Sequence, residues 1–134
     1  MRQLIQAAME ARESAYAPYS HYTVGAALLT EEGEIIQGGN IENASYGATN
    51  CAERTAIFKA VSQGKRKFRA IAIAGGMEHG SPVDYACPCG ICRQVMREFA
   101  EKNFKIYVAR DVEDYREYTL EELLPFSFGG ETIQ

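Results

Sequence analysis

The sequence lacks any excess of basic charge: 14 Lys and Arg stand against 18 Asp and Glu, a formal net charge of -4 at pH 7. Affinity for polynucleotides rests largely on neutralising phosphates, so no nucleic-acid partner is expected. Long apolar runs are also missing. No stretch approaches the ~20 residues that cross a membrane, and the opening MRQLIQAAMEARESAYAP is broken by Arg2, Glu10, Arg12 and Glu13, unlike the uninterrupted core of a secretory signal. The expectation is a cytoplasmic protein with no membrane partner. Cysteine is scarce, at four residues. In a reducing compartment such cysteines serve metals or catalysis rather than a disulfide framework. There is no repeat, linker or low-complexity segment, and 46% hydrophobic with 24% charged residues is ordinary globular composition. One domain over residues 1–134 follows, long enough to bury a core without staples.

What is present is a regular alternation of helix-like and strand-like segments. Leu4, Ala8, Ala11 and Ala15 recur at helical spacing up to Pro18. Residues 24–29 and 34–37 flank Glu31-Glu32-Gly33 and predict an antiparallel hairpin, followed by a polar loop at 38–50. Ala52, Ala56, Ile57, Ala60 and Val61 share a helix face, with Gly64 placed for a left-handed cap. Residues 68–75 predict a buried strand, Ile91, Val95 and Phe99 another helix, 104–109 a further strand and 115–118 an edge strand. Thr119 and Glu122 have capping-box spacing for a short final helix. Strand, helix, strand, helix, strand implies parallel strands joined by crossover helices. The expected fold is therefore α/β, a three-layer α/β/α sandwich with a mixed, largely parallel five-stranded sheet.

The chemistry concentrates at two predicted helix starts, Cys51-Ala52-Glu53 and Pro88-Cys89-Gly90-Ile91-Cys92. A βαβ path can bring two such N-termini side by side. Unpaired N–H groups and the helix dipole favour thiolates there. Three thiolates around zinc leave a fourth position for water, the ligand count of a catalytic rather than a structural site. Arg54 is a candidate to temper their negative charge, or else a solvated helix arginine. Glu53, two residues past a ligand, is a candidate proton shuttle; alone, it would only complement the helix dipole.

Cys-Ala-Glu followed by Pro-Cys-x-x-Cys resembles the zinc nucleoside deaminase signature, whose general chemistry is well described. Residues 19–29, 39–46, 51–56 and 89–95, with Leu123-Leu124-Pro125 and Phe128, resemble the small homotetrameric cytidine deaminases along nearly the whole chain. The resemblance implies one Zn2+ per chain held by Cys51, Cys89 and Cys92, and hydrolytic attack at C4 of cytosine. It further implies that Glu53 moves protons to N3 and to the departing amine, giving ammonia and a uracil nucleoside within pyrimidine salvage. It places Asn40 and Glu42 at the sugar, Tyr22 as an aromatic wall and the Ala52 N–H on the base carbonyl. Ala44, Tyr46 and Phe128 then reach a neighbouring subunit's pocket in a homotetramer whose partner is a pyrimidine nucleoside.

Each assignment has a plainer counterpart. Asn40 and Glu42 alone would be loop polars, and Phe128 a C-terminal aromatic packing on its own core. Tyr22 stands where the family often has Phe, and Cys87 where it often has Ser. Cys87 admits a structural four-cysteine zinc module with Cys51, Cys89 and Cys92. Cys89 and Cys92 alone could form a thioredoxin-like redox pair, which leaves Cys51 and Glu53 unexplained. A deaminase of a modified or antibiotic aminopyrimidine nucleoside would share the metal motif without the sugar loop. The run Lys65-Arg66-Lys67-Phe68-Arg69 reads as a solvated turn. His21 and His79 lack ligand spacing and read as surface histidines.

Overall fold

The computed structural model describes residues 1–133. Its elements in chain order are α1 (Arg2–Ala11), β1 (Tyr22–Thr30), β2 (Ile35–Gly39), α2 (Ala52–Ser62), β3 (Phe68–Met77), α3 (Gly90–Phe99), β4 (Lys105–Ala109), β5 (Tyr115–Thr119), and the single turns α4 (Leu120–Leu123) and α5 (Gly130–Ile133). The five strands make one sheet in the order β2-β1-β3-β4-β5.

The sheet is mixed, as expected, but its neighbours are mostly antiparallel. Only β3 and β4 pair in parallel; β1 runs against both β2 and β3, and β5 against β4. The expectation of a largely parallel sheet is corrected on this point, for a topological reason. Strands β2, β3 and β4 do run the same way, as their crossover helices require. The hairpin partner β1 lies between β2 and β3, so the β2-α2-β3 crossover passes over a strand rather than reaching its neighbour.

Alternation along the strands divides the core into two layers. Ala26 and Leu28 of β1, Ile71 and Ile73 of β3, and Ile106 and Val108 of β4 face α2 and α3. Ala27, Ala70, Ala72 and Ala109 face α1, against Leu4, Ile5 and Ala8. Full burial of each Leu or Ile is worth ~1.5–3 kcal/mol, so the branched residues anchor the α2/α3 side while alanines let α1 lie close. Two helical layers with the sheet between them give the expected α/β/α sandwich.

The first helix ends earlier than its spacing predicts. A 3-10 turn, Arg12–Ser14, follows Ala11, and Ala15 is extended. Arg12 takes the chain inward by donating to the Thr23 carbonyl and hydroxyl and to the Met77 carbonyl. The Gly64 cap forms with φ 88°, its N–H bonding Val61 while that of Lys65 bonds Ala60. The capping box between Thr119 and Glu122 also forms. Among the described residues no helix is long and apolar enough to cross a membrane.

Candidate metal and proton-transfer site

Both cysteine-bearing helices begin on the same side of the sheet. Cys51 is the N-cap of α2 and Cys89 the N-cap of α3, each in extended conformation. Helix α2 sits deep because Gly38 of β2 has no side chain: a Cβ there would lie 2.5 Å from the Ala56 nitrogen and 2.8 Å from the Ala52 carbonyl oxygen. That glycine sets the height of the first turn, and with it Cys51 and Glu53. Close-approach glycine carries no spacing signal, and sequence reading missed it. Arg93 also went unassigned. It donates to the Pro88 carbonyl at 2.8 Å and to the Leu123 carbonyl at 2.9 Å, fixing the turn before Cys89.

The sulfurs of Cys51, Cys89 and Cys92 lie within 4.8 Å of one another. Cys51 and Cys89 are 3.8 Å apart, Cys89 and Cys92 3.3 Å. Zinc–sulfur bonds of ~2.3 Å in a tetrahedron require sulfurs about 3.8 Å apart, so the donor set fits one zinc ion with little adjustment. Cys87 is exposed and is not among the converging sulfurs. His21 and His79 lie outside the cluster as well, sharing the exposed Glu78.

Hydrogen bonds shape the thiols before any metal is considered. The Cys92 thiol donates to Cys51, and with the Arg54 guanidinium it brings Cys51 down to about 5. Cys92 is correspondingly pushed up. Arg54 reaches the Cys51 sulfur through Nη2 at 3.3 Å, so it is not a solvated arginine. The Cys89 sulfur accepts the Cys92 backbone N–H at 3.4 Å, as a helix N-terminus provides.

Glu53 is 4% exposed. Burial pushes its carboxyl up to about 7, with the Cys51 charge adding to the shift and its own backbone amide opposing it. A carboxyl that exchanges protons near neutrality, beside three thiols able to hold a Lewis acid, is suited to general acid–base work. Ala52, fully buried, offers a first-turn N–H. Tyr22 begins β1 on the same face of the sheet, and burial raises the pKa of its hydroxyl.

The 40–42 segment is stitched to this site by paired bonds between Ile41 and Asn50, the residue before Cys51. Its polar side chains already have partners. Asn40 Oδ1 accepts the Val24 N–H at 2.8 Å, and its Nδ2 donates to the Tyr22 carbonyl at 3.0 Å. Glu42 accepts from the Tyr19 and Ser20 amides and the Ser20 hydroxyl, which lowers its pKa. Ala44, Tyr46 and Phe128 are exposed, the last two at 78% and 58%. Phe128 is therefore not buried in the core of its own chain. Ile91, a face residue of the predicted helix, is also turned out; Cys92 and Met96 take the buried side, because Cys92 must meet the other sulfurs.

Residues 1–108 match the family model described as the cytidine and deoxycytidylate deaminase zinc-binding region. A cytidine deaminase of Halalkalibacterium halodurans is 51% identical over 130 residues, 97% of this chain and 95% of that one. Another from Sporosarcina psychrophila is 48% identical over 99% of this chain and 94% of its own length. The crystal structure of cytidine deaminase from Burkholderia pseudomallei superposes with a TM-score of 0.84 at 46% identity, covering 94% of this chain and 97% of that one. With its sulfur cluster and buried Glu53, the chain belongs to the zinc-dependent cytidine deaminase family.

Proposed function

We propose that this protein hydrolyses cytidine and 2′-deoxycytidine to uridine and 2′-deoxyuridine with release of ammonia, with Cys51, Cys89 and Cys92 holding one zinc ion. The carrying observation is a buried carboxyl, Glu53, held near a pKa of 7 next to three converging sulfurs. Zinc supplies Lewis acidity there, enough to make water a nucleophile near neutral pH. Glu53 takes the proton that the attacking water loses and delivers it to N3 of the base. It then takes the proton of the new C4 hydroxyl and passes it to the departing amine, which leaves as ammonia as C4 becomes a carbonyl. Burial suits it to both transfers, since a group titrating near the working pH can accept and donate.

The Ala52 N–H, without an intrahelical partner, donates to the base carbonyl. Arg54 offsets the thiolate charge that would otherwise blunt the metal's acidity. Tyr22 forms the aromatic wall. At the sugar, Asn40 keeps one acceptor lone pair and one N–H beyond its bonds to β1, and the Glu42 carboxylate keeps accepting capacity beyond its three donors. Both can thus bind hydroxyls without releasing the backbone they hold. Ala44, Tyr46 and Phe128 enter the pocket of a neighbouring copy, which accounts for apolar groups left in water. The reading entails a cytoplasmic homotetramer of single-domain chains serving pyrimidine salvage.

The test is loss of cytidine absorbance together with ammonia release by the zinc-loaded protein. A folded, zinc-loaded tetramer that leaves cytidine and 2′-deoxycytidine unchanged overturns the proposal.

A further inference from the structure

The tail from Ser127 to Glu131 is fastened to the outer face of α3 at nearly every residue. Gln94 and Arg97, three positions apart and so on one face, provide the fastening. Gln94 Nε2 donates to the Phe128 carbonyl at 3.0 Å. Arg97 Nε donates to the Ser127 hydroxyl at 3.0 Å, and its Nη2 pairs with Glu131. Between these contacts Gly129 passes so near the guanidinium that a Cβ would lie 2.7 Å from Arg97 Nη1. The Arg97 side chain is left only 13% exposed.

The backbone on both sides of Phe128 is thus fixed while its own ring is left largely in water. A tail aromatic held for its own chain's stability would turn its ring inward, because that is where apolar area is gained. Here the hydrogen bonds and the ion pair hold the chain, and the ring is presented. The presenting helix is also the one that starts at Cys89 and carries Cys92, so strap and sulfur cluster share one rigid element.

We propose that Arg97 is a positioning residue for the nucleoside site: by clamping Ser127, Gly129 and Glu131 it fixes the Phe128 ring for insertion into a neighbouring copy. This rests on the reading of Phe128 as a cross-subunit pocket residue. Ordering the tail in the free chain removes an ordering cost that substrate binding would otherwise carry. Arg97 is not part of the sulfur cluster and acts through the Phe128 ring, so its effect falls on binding.

The test uses the full zinc-loaded protein, measuring KM and kcat for cytidine together with hydrogen exchange at residues 127–132. Arg97→Gln raises KM by roughly 3–10-fold with kcat within about twofold, and speeds exchange in the tail; Arg97→Lys, which keeps the charge, recovers part of both. Glu131→Gln loosens the clamp from its exposed side and moves KM in the same direction, which covers the case of an unfolded Arg97 variant. In a Phe128→Ala background, Arg97→Gln adds no further rise, because the two changes remove one interaction. If Phe128→Ala raises KM while Arg97→Gln and Glu131→Gln leave it unchanged, the positioning role is wrong and the reading of Phe128 stands. If Phe128→Ala itself leaves KM unchanged, the cross-subunit reading fails and takes this proposal with it.

Discussion

At the N-termini of α2 and α3 the side chains turn toward one another. Sulfurs from residues 38 positions apart meet at 3.8 Å, a guanidinium sits on one of them, and the neighbouring carboxyl is almost sealed from water. In the 40–46 loop and the 127–131 tail the opposite holds. There the polar groups are bonded to backbone and side chains of their own chain, and the aromatic rings point outward. The first region has its donor set assembled within one chain; the second has side chains arranged to meet something outside it. On the function proposed above, the contrast separates chemistry, which one chain can poise, from substrate enclosure, which would draw on another copy.

The sharpest way to break that division is Glu53→Gln. The amide keeps the volume of the buried site but cannot carry protons, so activity falls by at least ~10²–10⁴ while metal analysis still finds one zinc per chain. Undiminished turnover would remove Glu53 from the chemistry. The same residue gives a pH signature in the metal-free protein. Its folded value of about 7 lies above the ordinary 4.5, so between those values the folded state holds a proton that the unfolded state has released. Stability therefore falls as pH rises from 4.5 to 7, by roughly 3 kcal/mol in all, and the slope ends above 7. Urea titrations of metal-free protein and Glu53→Gln check this; an equal slope in both would contradict it.

Arg54→Gln tests the assembled region at its edge. Losing the charged donor to Cys51 costs about 10–100-fold in zinc affinity or activity, measured by chelator competition and by turnover. A smaller step separates two kinds of residue within the 40–46 loop. Asn40→Ala removes two bonds to β1, leaves the Val24 N–H and Tyr22 carbonyl to find new partners, and costs ~1–3 kcal/mol of stability in thermal melts. Tyr46→Ala, at an exposed position, shifts stability within about ±0.5 kcal/mol yet raises KM. A stability loss from Tyr46→Ala as large as that from Asn40→Ala would mean the ring serves its own chain.

How much was legible in the sequence follows the same line. Cys51, Cys89 and Cys92 were readable because helix starts and Cys-x-x-Cys spacing are local signals, and one crossover suffices to join them. The hairpin, the Gly64 cap and the Thr119–Glu122 box were readable for the same local reason. Neighbour order in the sheet was not, since nothing in residues 52–62 says that their helix will pass over β1. The end of α1 carries no local signal, because Arg12 finds its acceptors on Thr23 and Met77, far along the chain. Gly38 and Arg97 have no signature in the sequence, because their roles exist only where α2 crosses β2 and where the tail crosses α3. Asn40 was legible as a polar loop residue, but not as the clamp on β1 that it forms.

The smallest expected effect bears on the cysteine outside the cluster. A closed four-cysteine module would need Cys87 to bring a fourth sulfur to the ion, leaving no position for water. Cys87 is instead exposed, its N–H bonded to the Tyr85 carbonyl at 3.0 Å, and Pro88 separates it from Cys89 with a fixed φ. Turning its sulfur inward would mean rebuilding that turn, which Arg93 holds at the Pro88 carbonyl. Cys87→Ser therefore keeps one zinc per chain and changes kcat/KM by no more than about twofold, the scale of an exposed substitution. If metal analysis instead found the zinc lost, the three-sulfur site would be wrong, and with it the open position on which the deaminase chemistry depends.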